Sequence, residues 1–144
     1  MSPSLPSRFS IALVFLALVT ACAPVRKTTI YDDLGGRAGV AAIVEDVLNI
    51  YADDARVAPF FANTNLPRFR KLFAEYLCRA ADGGCEYTGS DMTESHTGLG
   101  ITDKSFNAVV EGLQQAMDKN HIPVRTQNRL LAKLAPDHKD IIHR

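Results

Sequence analysis

The chain has 144 residues, with 16 Lys and Arg side chains against 16 Asp and Glu, and three cysteines. A chain of this length supports one domain with a single hydrophobic core. The formal net charge of zero provides no basic surface for a nucleic-acid backbone, so nucleic-acid binding is disfavoured.

The first 21 residues have the features of an export signal. Arg8 precedes the apolar run IALVFLALV at residues 11–19, and the small residues of Val-Thr-Ala-Cys, ending at Cys22, follow it. This run is too short to cross a membrane, which needs about 20 apolar residues, so the pattern indicates a signal peptide. Val-Thr-Ala-Cys resembles the lipobox of bacterial lipoproteins. The resemblance implies that Cys22 is lipid-modified, with palmitate as an attached acyl chain, and becomes the mature N-terminus.

An ordinary secretory signal with a chance cysteine is the alternative. The lipobox interpretation implies a lipid-anchored protein of the bacterial cell envelope that faces the periplasm. Because exported compartments are oxidising, Cys78 and Cys85 can form a disulfide, and two free thiols stay the alternative. The predicted organisation is a signal peptide over residues 1–21, a tether over residues 22–29 and one folded domain over residues 30–144.

Four long stretches of helical periodicity follow the tether, whereas no stretch alternates with the period of a strand. Gly35-Gly36 precedes the first stretch, Asp82-Gly83-Gly84 ends the second and Thr102 caps the third. The fourth starts near Thr126, and Pro136 kinks or breaks it. The chain is therefore predicted to be all-α. The apolar stripes of the four helices begin at Val40, Phe69, Phe106 and Leu130.

The histidines are not spaced like a zinc cluster. His121 is expected at a helix end, and His138 and His143 on a solvated C-terminal turn. His96 differs, because it lies on a short predicted helix between glycine-rich loops, with Met92 one turn earlier. A histidine mounted in this way, facing an aromatic helix, suits an axial haem ligand, since iron needs a neutral imidazole nitrogen in an apolar slot. From periodicity alone, an ordinary core or surface histidine is the more common role.

Three motifs follow one another along the chain: Tyr31-Asp32-Asp33-Leu34-Gly35-Gly36, then Pro59-Phe60-Phe61-Ala62-Asn63-Thr64-Asn65, then Tyr87-Thr88-Gly89 with Met92 and His96-Thr97-Gly98-Leu99-Gly100-Ile101-Thr102. In this order and spacing, they resemble the group I truncated haemoglobins. The resemblance covers nearly all of residues 30–142 and implies a truncated globin, a two-over-two helical sandwich around haem b, whose iron binds small diatomic ligands. The four long helices then take the roles of helices B, E, G and H.

The same resemblance assigns the site residues. His96 becomes the proximal ligand of the haem iron, and Phe61 matches a haem-packing phenylalanine before the second long helix. Apolar residues on the other helices match positions that line the cofactor. The residues expected to contact haem are Phe61, Phe69, Phe73, Met92, His96, Leu99 and Phe106.

The distal side departs from the family pattern. Leu48 stands where the group usually has a tyrosine, and Phe69 and Phe73 stand where glutamine or another polar residue is common. Leu72 occupies the position that some members use for a second axial histidine. The distal pocket is therefore predicted to be apolar, without a hydrogen-bond donor for the ligand and without a sixth ligand to the iron.

The contacts of the haem propionates are also expected to differ. Ser90 replaces the arginine that commonly follows the Tyr-x-Gly turn. Arg68, Arg70 and Lys71 are the candidates to replace it, against the alternative that all three simply face water.

The expected function is reversible binding of oxygen, carbon monoxide or nitric oxide at a five-coordinate iron, with weak retention of oxygen. A haem enzyme ranks second, because nitric oxide dioxygenation needs retained oxygen and peroxide chemistry usually needs a polar distal acid–base group. A haem-free helical lipoprotein with a structural role ranks third. Any redox cycle requires a reductase or other electron donor that the sequence does not name.

Overall fold

The structure, a computed structural model, describes residues 27–142, and this part of the chain contains helices and connecting turns but no strand. The predicted all-α fold is confirmed. The predicted signal peptide and Cys22 lie outside the described residues. The α-helices are α1 (Ile30–Asp33), α2 (Gly36–Asp53), α3 (Leu66–Ala80), α4 (Met92–His96), α5 (Asp103–Lys119), α6 (Val124–Leu134) and α7 (His138–Ile141), with 3-10 helices at Ala58–Phe61 and Ala135–Asp137.

Side-chain caps fix the start of most of these helices. Thr29 and Asp32 form a capping box at α1, in which each side chain accepts the other residue's backbone N–H at 3.0 Å. At the starts of α3, α4 and α5, the side chains of Asn65, Asp91 and Thr102 each accept one backbone N–H of the first turn. These caps satisfy backbone donors that would otherwise lack partners, so the helix starts are encoded locally.

Glycines let α1 turn directly into α2. Gly35 and Gly36 adopt φ values of 88° and 63°, which residues with a Cβ rarely adopt. A Cβ at Gly39 would lie only 1.8 Å from the carbonyl oxygen of Leu34, so only glycine fits there. Helix α2 consequently begins at Gly36, before the apolar stripe that starts at Val40.

Helix α2 lies at the centre of the fold. It packs against both α3 and α5, and α6 in turn packs against the same two helices. Burial of apolar side chains in the core formed by these helices is the main source of stability, at about 1.5–3 kcal/mol for each large side chain. The largest fully buried side chains are Leu34, Ile43, Val44, Val47, Val57, Leu77, Met117 and Leu130.

A tyrosine fastens α2 to α5. Tyr51 is only 3% exposed, and its hydroxyl donates to the backbone carbonyl of Val109 at 2.8 Å. A Cβ at Gly112 would approach the Tyr51 ring to 2.6 Å, so glycine there lets the two helices meet around the ring. Burial raises the pKa of Tyr51, which keeps the phenol protonated and its hydroxyl a donor to α5.

The C-terminal segment folds back onto α4. Pro136 lies in the 3-10 helix after α6, and the following helix α7 packs against α4. His138 is half-buried, with Nε2 3.0 Å from an Asp103 carboxylate oxygen and its ring 4.6 Å from that of Phe106. His138 thus lies on a C-terminal turn with its side chain 39% exposed, and the break at Pro136 also brings its ring against Phe106. His143 lies outside the described residues.

Candidate functional site

The imidazole of His96 is oriented by its own short helix. His96 is the last residue of α4, and its Nδ1 lies 2.7 Å from the carbonyl oxygen of Met92, one turn earlier. A carbonyl oxygen only accepts hydrogen bonds, so Nδ1 carries the proton and the lone pair of Nε2 is left for a metal ion. Asp91 holds the start of this helix by accepting the backbone N–H of Glu94 at 2.7 Å.

His96 lacks the companions of an ordinary protein metal site. Within residues 27–142, no group of three or more His, Cys, Asp or Glu side chains could hold a metal ion. A single neutral imidazole with a free Nε2 suits an iron whose other ligands come from a porphyrin. The donor set therefore fits haem, which the resemblance implies, and does not fit a structural zinc site.

Apolar residues near His96 in the chain, and Phe106 on the following helix α5, are not fully buried. The backbone N–H of Leu99 donates to the His96 carbonyl at 3.2 Å, and the Leu99 side chain is 42% exposed. Met92, on the same helix, and Phe106, on α5, are half-buried. These open apolar surfaces favour a flat apolar ligand beside the imidazole, because covering them would remove them from water.

Three phenylalanines form a continuous aromatic row. The rings of Phe61 and Phe69 meet edge to face at 5.0 Å, and those of Phe69 and Phe73 stack at 5.4 Å. Leu48, Phe61 and Phe73 pack against the buried core from its edge, and Leu72 is half-buried. The predicted distal residues thus come from α2 and α3 and present apolar side chains.

Tyr51 contacts this row through its ring, and it lies outside the three sequence motifs. Its ring stacks on Phe61 at 5.7 Å, whereas its hydroxyl is committed to the Val109 carbonyl. The side chain therefore adds an apolar ring to the row and leaves its hydroxyl on α5. Only the packing of α2 on α5 reveals this, because the sequence pattern marks Tyr51 simply as a core residue.

Two of the three basic propionate candidates are engaged elsewhere. Arg70 pairs with Glu45. Lys71 lies with Nζ 2.6 Å from a Glu75 carboxylate oxygen and 3.0 Å from Thr88 Oγ1. Arg68 is exposed, so it is the candidate for which the structure gives no competing ion pair.

The connection from α3 to α4 is fastened to α3 at two places. A disulfide joins Cys78, near the end of α3, to Cys85, with the Cα atoms 5.7 Å apart. Three residues further on, the backbone N–H and the hydroxyl of Thr88 donate to Glu75 at 3.1 and 2.8 Å. The sequence motif contains Thr88, but its partners Glu75 and Lys71 become apparent only in three dimensions.

Aromatic contacts reinforce the same connection. Tyr87 packs edge to face on Tyr76 with ring centroids 5.8 Å apart, and the guanidinium of Arg79 lies 4.8 Å above the Tyr87 ring. The Tyr76 hydroxyl donates to Asp137. Burial, followed by the Asp137 carboxylate, raises the pKa of Tyr76, so the phenol remains a donor that links α3 to the turn before α7.

Comparison with known proteins identifies the family. Residues 29–142 match the family described as bacterial-like globin. The chain belongs to this globin family. The group 1 truncated haemoglobin GlbN of Mycolicibacterium paratuberculosis is 32% identical to this globin over 108 residues, which are 75% of this chain and 79% of the relative.

Solved structures agree with this assignment. The truncated haemoglobin of Tetrahymena pyriformis in its Fe(III) form superposes with a TM-score of 0.79 at 27% identity, covering 81% of this chain and all (100%) of that one. The 2/2 haemoglobin of Synechococcus sp. PCC 7002 shares the fold, with a TM-score of 0.76 at 24% identity and coverage of 81% and 100%. The predicted two-over-two globin fold is confirmed.

The contacts of Glu75 with Lys71 and Thr88 predict how stability depends on pH. The contacts of Glu75 with Lys71 and then with Thr88 lower its pKa from 4.5 to about 2. A lowered pKa in the folded state stabilises the protein above the unfolded pKa, and the stabilisation is lost as the pH falls toward the folded pKa. We therefore expect Glu75→Gln to reduce the free energy of unfolding at neutral pH, and the difference from wild type to shrink from pH 4.5 toward pH 2.

Urea unfolding of both proteins between pH 7 and pH 3 measures this difference. Glu111→Gln is the control, because Glu111 is an exposed partner of Arg56 and its loss should cost within about 0.5 kcal/mol throughout. A Glu75→Gln difference of equal size at neutral and acidic pH would contradict the assignment.

Proposed function

We propose that this globin binds a diatomic gas reversibly at a five-coordinate haem iron held by His96. Membership of the globin family, with relatives named haemoglobins, makes the chain a haem-binding globin. The observation that carries the assignment of His96 is the contact between its Nδ1 and the Met92 carbonyl at 2.7 Å, which frees Nε2. When bound, haem b would supply an iron with an open coordination position for a small ligand.

The residues that would hold the haem come from both sides of the site. His96 provides the iron ligand, and Met92, Leu99 and Phe106 provide apolar surface near it. Phe61, at the end of the 3-10 helix Ala58–Phe61, and Phe69 and Phe73, on α3, would provide an aromatic wall. Their partial exposure supports this role, because a bound apolar macrocycle would cover side chains that the core leaves open.

The apolar distal side determines which ligands are favoured. A dioxygen ligand carries partial negative charge, and a hydrogen-bond donor to it contributes about 1–3 kcal/mol in a dry pocket. Leu48, Phe69, Leu72 and Phe73 offer no donor, and the Tyr51 hydroxyl is held by α5. Oxygen affinity should therefore be lower by about one to two decades than with a donor, whereas carbon monoxide and nitric oxide, which carry less negative charge, lose less.

The same side chains favour a ligand-binding role over an enzymatic one. Peroxide chemistry usually needs a distal group that can take up and return a proton. Leucine and phenylalanine cannot do so, and the raised pKa of Tyr51 removes the adjacent phenol from this role. Nitric oxide dioxygenation needs oxygen to be retained, which the apolar pocket disfavours.

The proposal also includes a lipid anchor at Cys22 and an envelope location facing the periplasm. The Val-Thr-Ala-Cys sequence ending at Cys22 supports it, and the Cys78–Cys85 disulfide suits an oxidising compartment. Within residues 27–142, the structure contains no helix that is both long and apolar enough to cross a membrane. A reductase or another electron donor that keeps the iron ferrous belongs to the same proposal.

Removal of the proximal imidazole tests the haem site. We expect purified His96→Ala to lose the Soret band of the wild-type protein or to bind haem far more weakly, because no second ligand is available from Leu72. His121→Ala is the matched control, since His121 is exposed at the end of α5, and its visible spectrum should equal that of wild type. An undiminished Soret band in His96→Ala would refute ligation by this residue.

Restoring a distal donor tests the ligand preference. We expect Leu48→Tyr to slow oxygen dissociation by about 10- to 100-fold, which corresponds to a gain of one hydrogen bond of 1–3 kcal/mol. Carbon monoxide dissociation should change much less. Leu48→Phe adds the ring without the hydroxyl and is the control, and stopped-flow spectroscopy measures both rates. Wild-type oxygen dissociation as slow as that of Leu48→Tyr would contradict the proposed pocket.

Replacing the lipidated cysteine tests the anchor. We expect the full-length wild-type chain to incorporate labelled palmitate and to fractionate with membranes, because acyl chains supply the membrane affinity. Cys22→Ser should lose both properties and keep its haem spectrum. Membrane association that survives in Cys22→Ser, or a wild-type chain free of label, would exclude the lipid anchor.

A further inference from the structure

We propose that residues 81–91, here called the strap, position His96 for the haem iron through the Cys78–Cys85 disulfide and the Thr88 anchor, so that haem retention depends on the oxidation state of the two cysteines. The Thr88 anchor comprises the contacts of Thr88 with Glu75 and Lys71. This inference rests on the proposed ligation by His96, and it assigns to the cysteines and Thr88 a role in positioning that ligand.

The helix that carries His96 cannot fix its own position. Helix α4 spans only Met92–His96, and a single helical turn is unstable in isolation because nucleation is unfavourable. Its placement must therefore come from neighbouring segments, among them α7, which packs against it, and the strap that leads into it.

The strap is coupled directly to α4. The Asp91 side chain at its end accepts the Glu94 N–H at 2.7 Å, and the Ser95 hydroxyl donates to the carbonyl of Ser90 at 3.4 Å. Movement of the end of the strap is thus transmitted to the first turn of α4. The Met92 carbonyl that orients His96 lies in that turn.

The disulfide and the Thr88 anchor, together called the fasteners, each reduce the length of unrestrained chain before α4. An extended residue spans at most about 3.3–3.6 Å, so the chain from Ala80 to Asp91 could reach about 36 Å. The disulfide at Cys85 shortens this reach to about 20 Å, and the Thr88 anchor shortens it to about 10 Å. With both in place, the N-terminus of α4 is confined close to α3.

The strap also sets the relation between the two sides of the haem site. Lys71 and Glu75 lie on α3, the helix that carries Phe69 and Phe73, and Lys71 directly precedes Leu72. The anchor therefore ties the helix of the distal row to the helix of the proximal histidine. Loss of the fasteners would widen the range of distances between these two surfaces, which would weaken their joint hold on a flat ligand.

The disulfide can be opened by a dithiol reductant. Cys78 is buried at 3% exposure and Cys85 is half-buried, so a thiolate of the reductant reaches the Cys85 sulfur first. A mixed disulfide forms there while the bond to Cys78 breaks, and the Cys78 thiolate takes up a proton. The second reductant thiol then displaces Cys85, which leaves two protein thiols and one oxidised reductant after transfer of two electrons.

The test measures transfer of haem from the holoprotein to excess apomyoglobin. We compare wild type, wild type reduced with dithiothreitol, the Cys78→Ser/Cys85→Ser double variant, Thr88→Val and the combination of all three substitutions. Reduction and the double serine variant should each speed haem loss by about 3- to 10-fold, and the combination should exceed the product of the separate effects, because either fastener restrains the strap in the absence of the other.

A second measurement separates positioning from general stability. Resonance Raman spectra of the ferrous protein report the iron–histidine stretching band, which should shift or broaden when the disulfide is opened. Asp46→Asn is the control, because Asp46 binds Lys119 and Asn120 at the α2–α5 side of the molecule. This variant should lower the unfolding midpoint while leaving the band unchanged and haem loss within about twofold of wild type.

The outcomes distinguish this inference from the proposed function. The proposed role of the strap would be overturned if reduced wild type and the double serine variant both lost haem at the wild-type rate and showed an unchanged Raman band. His96 could still bind the haem in that case. Retention of haem by His96→Ala would instead overturn the ligation on which the strap depends. Reduction is applied to the folded holoprotein. The haem-loss measurement on reduced wild type therefore remains informative even if the serine variants fold poorly.

Discussion

The hydrogen bond between His96 and the carbonyl of Met92 determines the chemistry of the site. It places the proton on Nδ1 and leaves Nε2 as the only nitrogen that can bind a metal ion. Without this contact, the ring could rotate or exchange its proton between nitrogens, and its orientation would be set by solvent. The helix of five residues, Met92–His96, is thus just long enough to bring the carbonyl of its first residue under the ring of its last.

Stability and ligand binding rely on different faces of the same helices. The buried faces of α2 and α5 meet around Tyr51 and Gly112, where a hydroxyl on a backbone carbonyl and close packing leave little freedom. At the edge of that core, Leu48 and Phe73 are only partly buried. The site can therefore keep exposed apolar surface, because the closely packed α2–α5 interface supplies the stability of the fold next to it.

Much of this arrangement could be predicted from the sequence, and the rest depends on contacts between distant residues. Helical periodicity and caps predict α3 and α5 closely, since Asn65 and Thr102 act within one turn. The motif around His96 predicts a short helix for a similar reason. By contrast, the start of α2 depends on the approach of Gly39 to Leu34, and the packing of His138 on Phe106 depends on the turn at Pro136. Local periodicity does not contain either contact.

Because the distal row is apolar, ligand affinity in the proposed function depends more strongly on the proximal side of the haem. Where a distal donor is present, ligand affinity can be adjusted by the strength and geometry of that hydrogen bond. In the proposed site, Leu48, Phe69 and Phe73 offer no such donor, so the iron and the imidazole proposed to hold it are left as the groups through which ligand affinity can be adjusted. The position of that imidazole depends in turn on Asp91, Ser90 and the chain before them. The disulfide at Cys85 restrains that segment. It can therefore affect ligand binding through the position of the imidazole, although Cys85 lies far from His96 in the sequence.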